Sequence, residues 1–225
     1  CHAQYLRLIE HPGYTEVQIG NPWKEGKLLQ KFVVPDSNAI SSYRHIAIFT
    51  TTHANLLEEL CAIDAIAGIC ETEYVANSHL RMALDEGRIQ DLGSAMTPDR
   101  ERIIALNPDL ILLSPYENAS TYGNLELLGI PIVQCADYME TSALGRAEWM
   151  RFYGRLFGKA VLCDSLFASV CNEYETLCGA VKNVVYRPRL MCELKTGSVW
   201  YMPCGGSTMG RMYADAGANY LFSYN

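Results

Sequence analysis

The sequence predicts an α/β protein: two parallel-sheet lobes joined by a long helical spine, the second lobe incomplete within the 225 residues. Three observations predict it. From Arg44 to Cys135, short apolar runs alternate with helical stretches, which is the pattern of a mostly parallel sheet covered by helices on both sides. Residues 141–182 carry helical periodicity and no strand pattern. After Arg187-Pro188 the strand pattern returns, but only about 38 residues follow, fewer than the usual minimum of about 50 for a domain. The lobes are therefore read as Rossmann-like. Residues 1–43 form an N-terminal β extension, 44–140 the first lobe, 141–186 the spine helix and 187–225 the start of the second lobe.

Taken in order, residues 4–10 and 15–19 alternate apolar and polar around His11-Pro12-Gly13, a hairpin signal, and Lys31 to Val34 is a third short strand before the turn cluster Pro35-Asp36-Ser37-Asn38. His45 to Phe49 is an apolar run suited to a strand buried on both faces. A helix through Leu56, Leu57 and Leu60 leads to a strand at Ala65 to Ile69, and residues 78–86 form a helix ending at Gly87. Pro98 opens a further helix, closed by Asn107-Pro108. Asp109 to Leu113 is a strand, Asn124 to Leu128 a short helix, and Pro131 to Cys135 a strand. Thr141-Ser142 caps the spine. Trp149, Phe152, Tyr153 and Leu156 begin its apolar stripe, which continues past Gly158 through Cys163, Phe167, Cys171, Tyr174 and Cys178, so the three cysteines are expected on one buried face. Strands are expected at Arg189 to Leu194, Ser198 to Met202 and from Tyr220, with a helix from Thr208 to Ala216.

Eighteen Lys and Arg against 25 Asp and Glu give a net charge of −7, and no basic block is present. Nucleic acid is therefore not an expected partner, and the chain as a whole is a poor match for an anionic membrane surface. No apolar run approaches the roughly 18–20 residues of a membrane span. Nine cysteines, an odd number with no CxxC pair, read as small buried hydrophobes and not as a disulfide framework or a zinc ribbon. Cys1 has two readings: the lipidated first residue of a mature lipoprotein, or the start of a fragment.

Three stretches together resemble the periplasmic substrate-binding proteins of ABC importers, in the subclass that carries ferric siderophores, haem and cobalamin. They are the β–α–β from Arg44 to Gly68, containing TTTHANLLEELCAIDAIAG; Met96-Thr97-Pro98 with the ER-I-x-x-L-x-PDL run from Glu101 to Leu110; and Leu144-Gly145-Arg146-Ala147-Glu148-Trp149. The resemblance spans residues 44–222. It implies a periplasmic or lipid-anchored protein, peripheral to the membrane. Such a protein binds without catalysis and hands its ligand to an ABC permease and its ATPase. It needs no cofactor, although the ligand itself contains iron or cobalt. In that family a Glu on each lobe docks to the permease, and the first-lobe position matches Glu101; the second lies beyond residue 225.

Ligand residues are expected on loops following strands. These give Thr52 and His53; Tyr74; Tyr116, Glu117 and Asn118; and Tyr138 and Met139, with Glu140 beside them. The second lobe offers Lys195, Trp200 and Tyr201. Aromatic and Met walls suit a large planar ligand, and His53 or Tyr74 are candidates to ligate haem iron. Arg146 is read as paired with Glu148 or as an anion contact, and Gly205-Gly206-Ser207 as an anion cradle ahead of a helix. The alternative function is an enzyme on a similar frame. A tetrapyrrole chelatase would use His53 with Glu117, and a metallocluster protein would use Cys135 and Cys204.

Overall fold

In a computed structural model of the chain, which describes residues 1–36, 43–117, 122 and 124–224, the N-terminal residues form an antiparallel sheet of β1 (Leu6–His11), β2 (Tyr14–Gly20) and β3 (Leu28–Pro35). The expected turn residues Ser37 and Asn38, and the loop residue Asn118, lie outside the described residues. Alternation puts Val17, Ile19 and Val34 on one face, where they share an apolar cluster with Ile46, Ile48, Trp149 and Phe152. The extension thus belongs to the core of the first lobe. Its Gln30 side chain also lies across the edge of the main sheet, donating to Ile132 O at 2.8 Å and accepting from Gln134 N at 2.8 Å. Those bonds satisfy an edge strand that would otherwise present bare backbone.

The main sheet contains β4 (Ile46–Ile48), β5 (Ile66–Ile69), β6 (Gln90–Asp91), β7 (Leu110–Leu113) and β8 (Ile132–Gln134). All pairs are parallel and the order is β6-β5-β4-β7-β8. Every residue of β4, β5 and β7 is buried, which is why these strands read as unbroken apolar runs. Helices α1 (Thr51–Glu59), α2 (Ser78–Asp85) and α3 (Arg100–Leu106) connect them. Asn77 caps α2, and Asp99 caps α3 by accepting from Arg102 N at 3.1 Å. Gly68 is needed for close packing, since a Cβ there would lie 2.7 Å from Leu92 Cδ1. The short helix expected at Asn124 to Leu128 is a 3₁₀ turn, Leu125–Leu128.

The expected single spine helix is a helical hairpin. The chain reverses at Gly158, with φ of +67°, between α4 (Ala143–Leu156) and α5 (Ala160–Val181). Arg155 and Arg151 of α4 reach Asp164 of α5 at 3.1 and 2.7 Å, and Arg151 also lies 5.9 Å from the Phe167 ring. The absence of a side chain at Gly154 admits Cys163, whose Sγ would otherwise stand 2.5 Å from a Cβ. Periodicity reports the stripe of a helix, not its direction, so two antiparallel helices and one kinked rod look alike in sequence. The expected buried cysteine face holds only for Cys163; Cys171 and Cys178 are half-buried, because α5 outruns its partner α4.

Beyond the hairpin, β9 (Arg189–Leu190), α6 (Thr208–Asp215) and β10 (Asn219–Tyr220) make a βαβ unit with its two strands parallel. The strands expected at Arg189–Leu194 and from Tyr220 are thus two residues each, and Ser198–Met202 is no strand but part of a turn closed by a bridge between Thr196 and Val199. The glycine loop packs chain against chain: a Cβ on Gly205 would lie 2.3 Å from Ser223 O. Ser207 itself caps α6, accepting from Gly210 N at 3.2 Å, so the loop is not shaped as an anion cradle.

Two buried carboxylates tie these parts together. Glu148 Oε2 accepts from His2 N at 2.6 Å and Ala3 N at 2.8 Å. Glu140 accepts from Gln4 N at 2.7 Å, Tyr5 N at 3.0 Å and Trp149 Nε1 at 2.9 Å. Both are buried, at 3% and 4% exposure for Glu140 and Glu148. Glu148 also pairs with Arg151 at 3.4 Å, and Arg146 is exposed, so the expected Arg146–Glu148 pair is not formed. The backbone of Glu140 accepts from Thr208 Oγ1 at the start of α6. Gly145 makes room for the clasp, since a Cβ would sit 2.9 Å from His2 O and 3.1 Å from Glu140 Oε2. Substituting Glu140→Ala removes the acceptor of two part-buried amides and of the buried Trp149 indole, and the expected loss is about 3 kcal/mol. In thermal melts that corresponds to a fall of roughly 6–12 °C; a change below about 2 °C would show that Glu140 does not hold the N-terminal segment.

Candidate functional site

In an open parallel sheet, ligands sit beyond the carboxyl ends of the strands, where the strand order reverses. Here the chain crosses to opposite sides of β4, placing the reversal between β4 and β7. The loops leaving β4, β5, β7 and β8 carry the sequence-predicted residues of the first lobe.

Two of these loops are joined directly. The Tyr138 hydroxyl, from the 3₁₀ turn Asp137–Met139 after β8, donates to Pro115 O in the loop after β7. Tyr116 beside it is half-buried and meets Tyr122 edge-to-face at 5.6 Å. Tyr138 remains 40% exposed and Met139 half-buried, while Glu117 faces solvent. Burial, and then the charge of Asp137, raise the Tyr138 phenol above its ordinary value. Tyr122 is pushed up to about 12, chiefly by burial. Both therefore stay neutral phenols at physiological pH, with a hydroxyl for hydrogen bonding and a ring face for stacking.

Thr52 is exposed on the first turn of α1, and Tyr74 is 69% exposed at the end of the 3₁₀ turn Thr72–Tyr74. His53 is not presented to the cleft. It is 1% exposed, with Nε2 3.5 Å from Asp137 Oδ1 and its ring 5.6 Å from that of Tyr153. The reason is helical geometry: His53 lies one residue past Thr52, about 100° round α1, and turns toward the core with Ala54 and Leu57. Among the described residues, His53 Nδ1 is buried without a hydrogen-bond partner, and Asp137 Oδ1 has only the long contact with His53 Nε2. Burial holds the Tyr153 phenol and the neighbouring Cys135 thiol well above their ordinary values.

In the second unit, Lys195, Trp200 and Tyr201 are exposed on the segment after β9, where Trp200 Nε1 donates to Glu193 O at 3.3 Å. Glu101 is exposed in the first turn of α3. Three surface concavities lie elsewhere, beside the α4–α5 turn, along α5 and at the N-terminus. Among the described residues, a hydrogen bond joins the Tyr116 and Tyr138 loops, through Tyr138 and Pro115. Sequence reasoning placed Glu140 in the cleft and missed its clasp. It gave Glu148 an exposed partner, Arg146, although a carboxylate four residues from Phe152 on an apolar stripe was a visible signal of burial.

Residues 46–224 match the family model described as a periplasmic binding protein. The chain belongs to that family. Among curated proteins, this family member is similar to two uncharacterised lipoproteins of Methanocaldococcus jannaschii. One is 28% identical over 135 residues, covering 59% of this chain and 32% of that protein; the other is 28% identical over 211 residues, covering 84% and 52%. The chain thus spans between about a third and a half of those relatives' length. Among solved structures, a periplasmic binding protein from Veillonella parvula aligns with a TM-score of 0.69 at 14% identity, covering 99% of this chain and 70% of that one. Staphylococcus aureus IsdE complexed with haem aligns at 0.60 and 14%, covering 79% and 64%. The siderophore-binding protein BauB, bound to acinetobactin and ferric iron, aligns at 0.55 and 24%, covering 77% and 56%. These likenesses show the fold: a parallel α/β lobe followed by helices and a second α/β unit. The family is one of binding proteins; of the residues the enzymatic alternatives would use, His53 and Cys135 are buried and Glu117 and Cys204 are exposed.

Thiol labelling separates buried cysteines from accessible ones. Burial pushes Cys70 up to about 12 and Cys163 up to about 11, and holds Cys135 higher than usual. At pH 8, exposed Cys1, Cys61 and Cys204 are expected to react first, with Cys70, Cys135 and Cys163 reacting only on unfolding. Fast labelling of Cys135 in the folded protein would contradict its burial immediately after β8.

Proposed function

We propose that this binding protein captures an iron complex, a ferric siderophore or haem, and delivers it unchanged to the permease and ATPase of an ABC importer. The observation that carries the reading is the placement of Tyr116 and Tyr138 at the carboxyl ends of β7 and β8, next to the reversal of strand order. Ring faces and neutral hydroxyls suit the aromatic body and polar edges of such a ligand. Tyr74, Met139, Trp200 and Tyr201 extend the wall, and Thr52, Glu117 and Lys195 supply polar contacts. His53 takes part by supporting Asp137 and the Tyr138 turn from beneath. The haem and ferric acinetobactin bound by two structural relatives are the ligand classes that support this choice.

Glu101 is assigned to permease docking: an exposed carboxylate at a helix start steers a cationic partner at no cost to the core. Residues 44–140 and the unit from 187 onward are the two binding lobes, and 141–186 is the connection between them. The protein works outside the cytoplasm, held to the membrane through a lipid on Cys1. Two similar proteins carry the name lipoprotein, and no described helix is long and apolar enough to cross a membrane.

The test is a melting and absorbance screen of the protein against haem, ferric catecholate and hydroxamate siderophores, and cobalamins. The true ligand at a hundred-fold excess over its Kd adds about 2.7 kcal/mol of stability. Tyr138→Ala together with Tyr116→Ala is expected to weaken capture while leaving the melting temperature of the unliganded protein within a few degrees. Turnover of any of these compounds without stoichiometric capture would overturn the proposal.

A further inference from the structure

The loop between β2 and β3 reads Asn21-Pro22-Trp23-Lys24-Glu25-Gly26-Lys27, a tryptophan followed by two lysines. Its shape is built in. Asn21 Oδ1 accepts from Trp23 N at 2.9 Å and Lys24 N at 3.0 Å, and Asn21 N donates to Lys27 O at 2.9 Å. The loop therefore presents Trp23 and the two lysines from a fixed backbone. It borders a concavity of about 730 Å³ whose lining includes Cys1, Tyr5, Arg7, Trp23, Lys27 and Leu28.

The charge here runs against that of the whole chain. The protein carries −7, but the lining and loop bring Arg7, Lys24 and Lys27 together with one exposed carboxylate, Glu25, while Glu140 and Glu148 behind the N-terminal segment are buried and bonded to its amides. A Debye length near 10 Å screens the remote acidic surface, so the local sign governs what the patch meets. Trp23 is half-buried, Leu28 is 50% exposed, and Lys24 and Lys27 are exposed. An indole with an apolar residue and two lysines on the same loop matches the chemistry of a headgroup layer: ring at the boundary, ammonium groups at the phosphates.

The N-terminal clasp fixes where this patch lies. His2, Ala3, Gln4 and Tyr5 are all held by Glu148 and Glu140, so no slack separates residue 1 from the folded body. Cys1 Sγ lies 3.9 Å from Leu6 O, at the mouth of the same concavity. A lipid borne at Cys1 would bring this one edge against the bilayer. A single acyl chain holds a protein only marginally, and a second contact makes the anchorage stable.

We propose that the Trp23 loop, with Lys24, Lys27 and Arg7, is a docking face for anionic lipid that seats the protein on the membrane in one orientation. The orienting role rests on the lipid-anchored reading above, whereas the affinity of the loop for lipid does not. The experiment uses the unlipidated chain and vesicles of phosphatidylcholine with or without phosphatidylglycerol, read by sedimentation and by quenching of tryptophan fluorescence with brominated lipid. Binding to the anionic vesicles is expected, with quenching lost in Trp23→Phe and retained in Trp200→Phe. At about 1 kcal/mol per lysine, Lys24→Glu with Lys27→Glu reduces binding by roughly thirty-fold or more. These positions are on the surface, so an unchanged melting temperature confirms that the variants are folded. Failure of the wild type to bind, equal binding to both vesicle types, or quenching that persists in Trp23→Phe would each overturn the proposal. Ligand capture is measured on the same proteins: its absence would sink the transport reading and leave the vesicle result standing.

Discussion

Four consecutive backbone amides held by two buried carboxylates are the constraint around which this molecule is arranged. Glu148 takes His2 and Ala3; Glu140 takes Gln4 and Tyr5, together with the indole of Trp149. A carboxylate nearly removed from water is costly unless its oxygens are fully hydrogen-bonded. The N-terminal segment is what satisfies these two. The dependence runs in both directions. The segment enters β1 in register because Glu148 of α4 and Glu140 just before it offer the acceptors, and these charges are tolerated there because the segment satisfies them. Through Trp149 the clasp reaches the apolar core, through the Asp137–Met139 turn it reaches the proposed ligand rim, and through Thr208 it reaches the second α/β unit.

The parallel strands were readable because burial on both faces leaves unbroken apolar runs such as Leu110 to Leu113. The start of α4 was readable because Ser142 is a side-chain cap that sequence displays, whereas the helix expected to open at Pro98 begins at Arg100, capped by Asp99. The reversal at Gly158 was harder to read. A positive φ was plausible there, but nothing local says whether two helices on either side continue or fold back. That outcome depends on Arg151, Arg155 and Asp164 meeting across the hairpin. Short strands such as β9 and β10 were overextended for a related reason: exposed apolar residues at Met191, Leu194, Val199 and Tyr201 mimic a buried strand pattern.

The family was more legible than the site. The rule for open sheets points to the carboxyl ends of the strands as the candidate rim, and the resemblance of the Arg44–Gly68 and Glu101–Leu110 stretches pointed to the family that residues 46–224 match. Individual side chains depend on rotations that sequence does not report. One step along α1 separates exposed Thr52 from buried His53, and one step along the turn after β8 separates buried Asp137 from Tyr138. Three residues further on, Glu140 faces the N-terminus and serves architecture. The proposed function therefore rests on the aromatic rim and on kinship. The proposed membrane seat rests on the loop that the same clasp places beside residue 1.

The most direct test of this account is amide hydrogen exchange at His2, Ala3, Gln4 and Tyr5. Chain ends ordinarily fray and exchange within seconds. If the two carboxylates hold these amides, their opening free energies should approach those of β4 and β7, and Glu140→Gln should accelerate Gln4 and Tyr5 selectively. Exchange of all four at the rate of an unstructured peptide would contradict the account at its base.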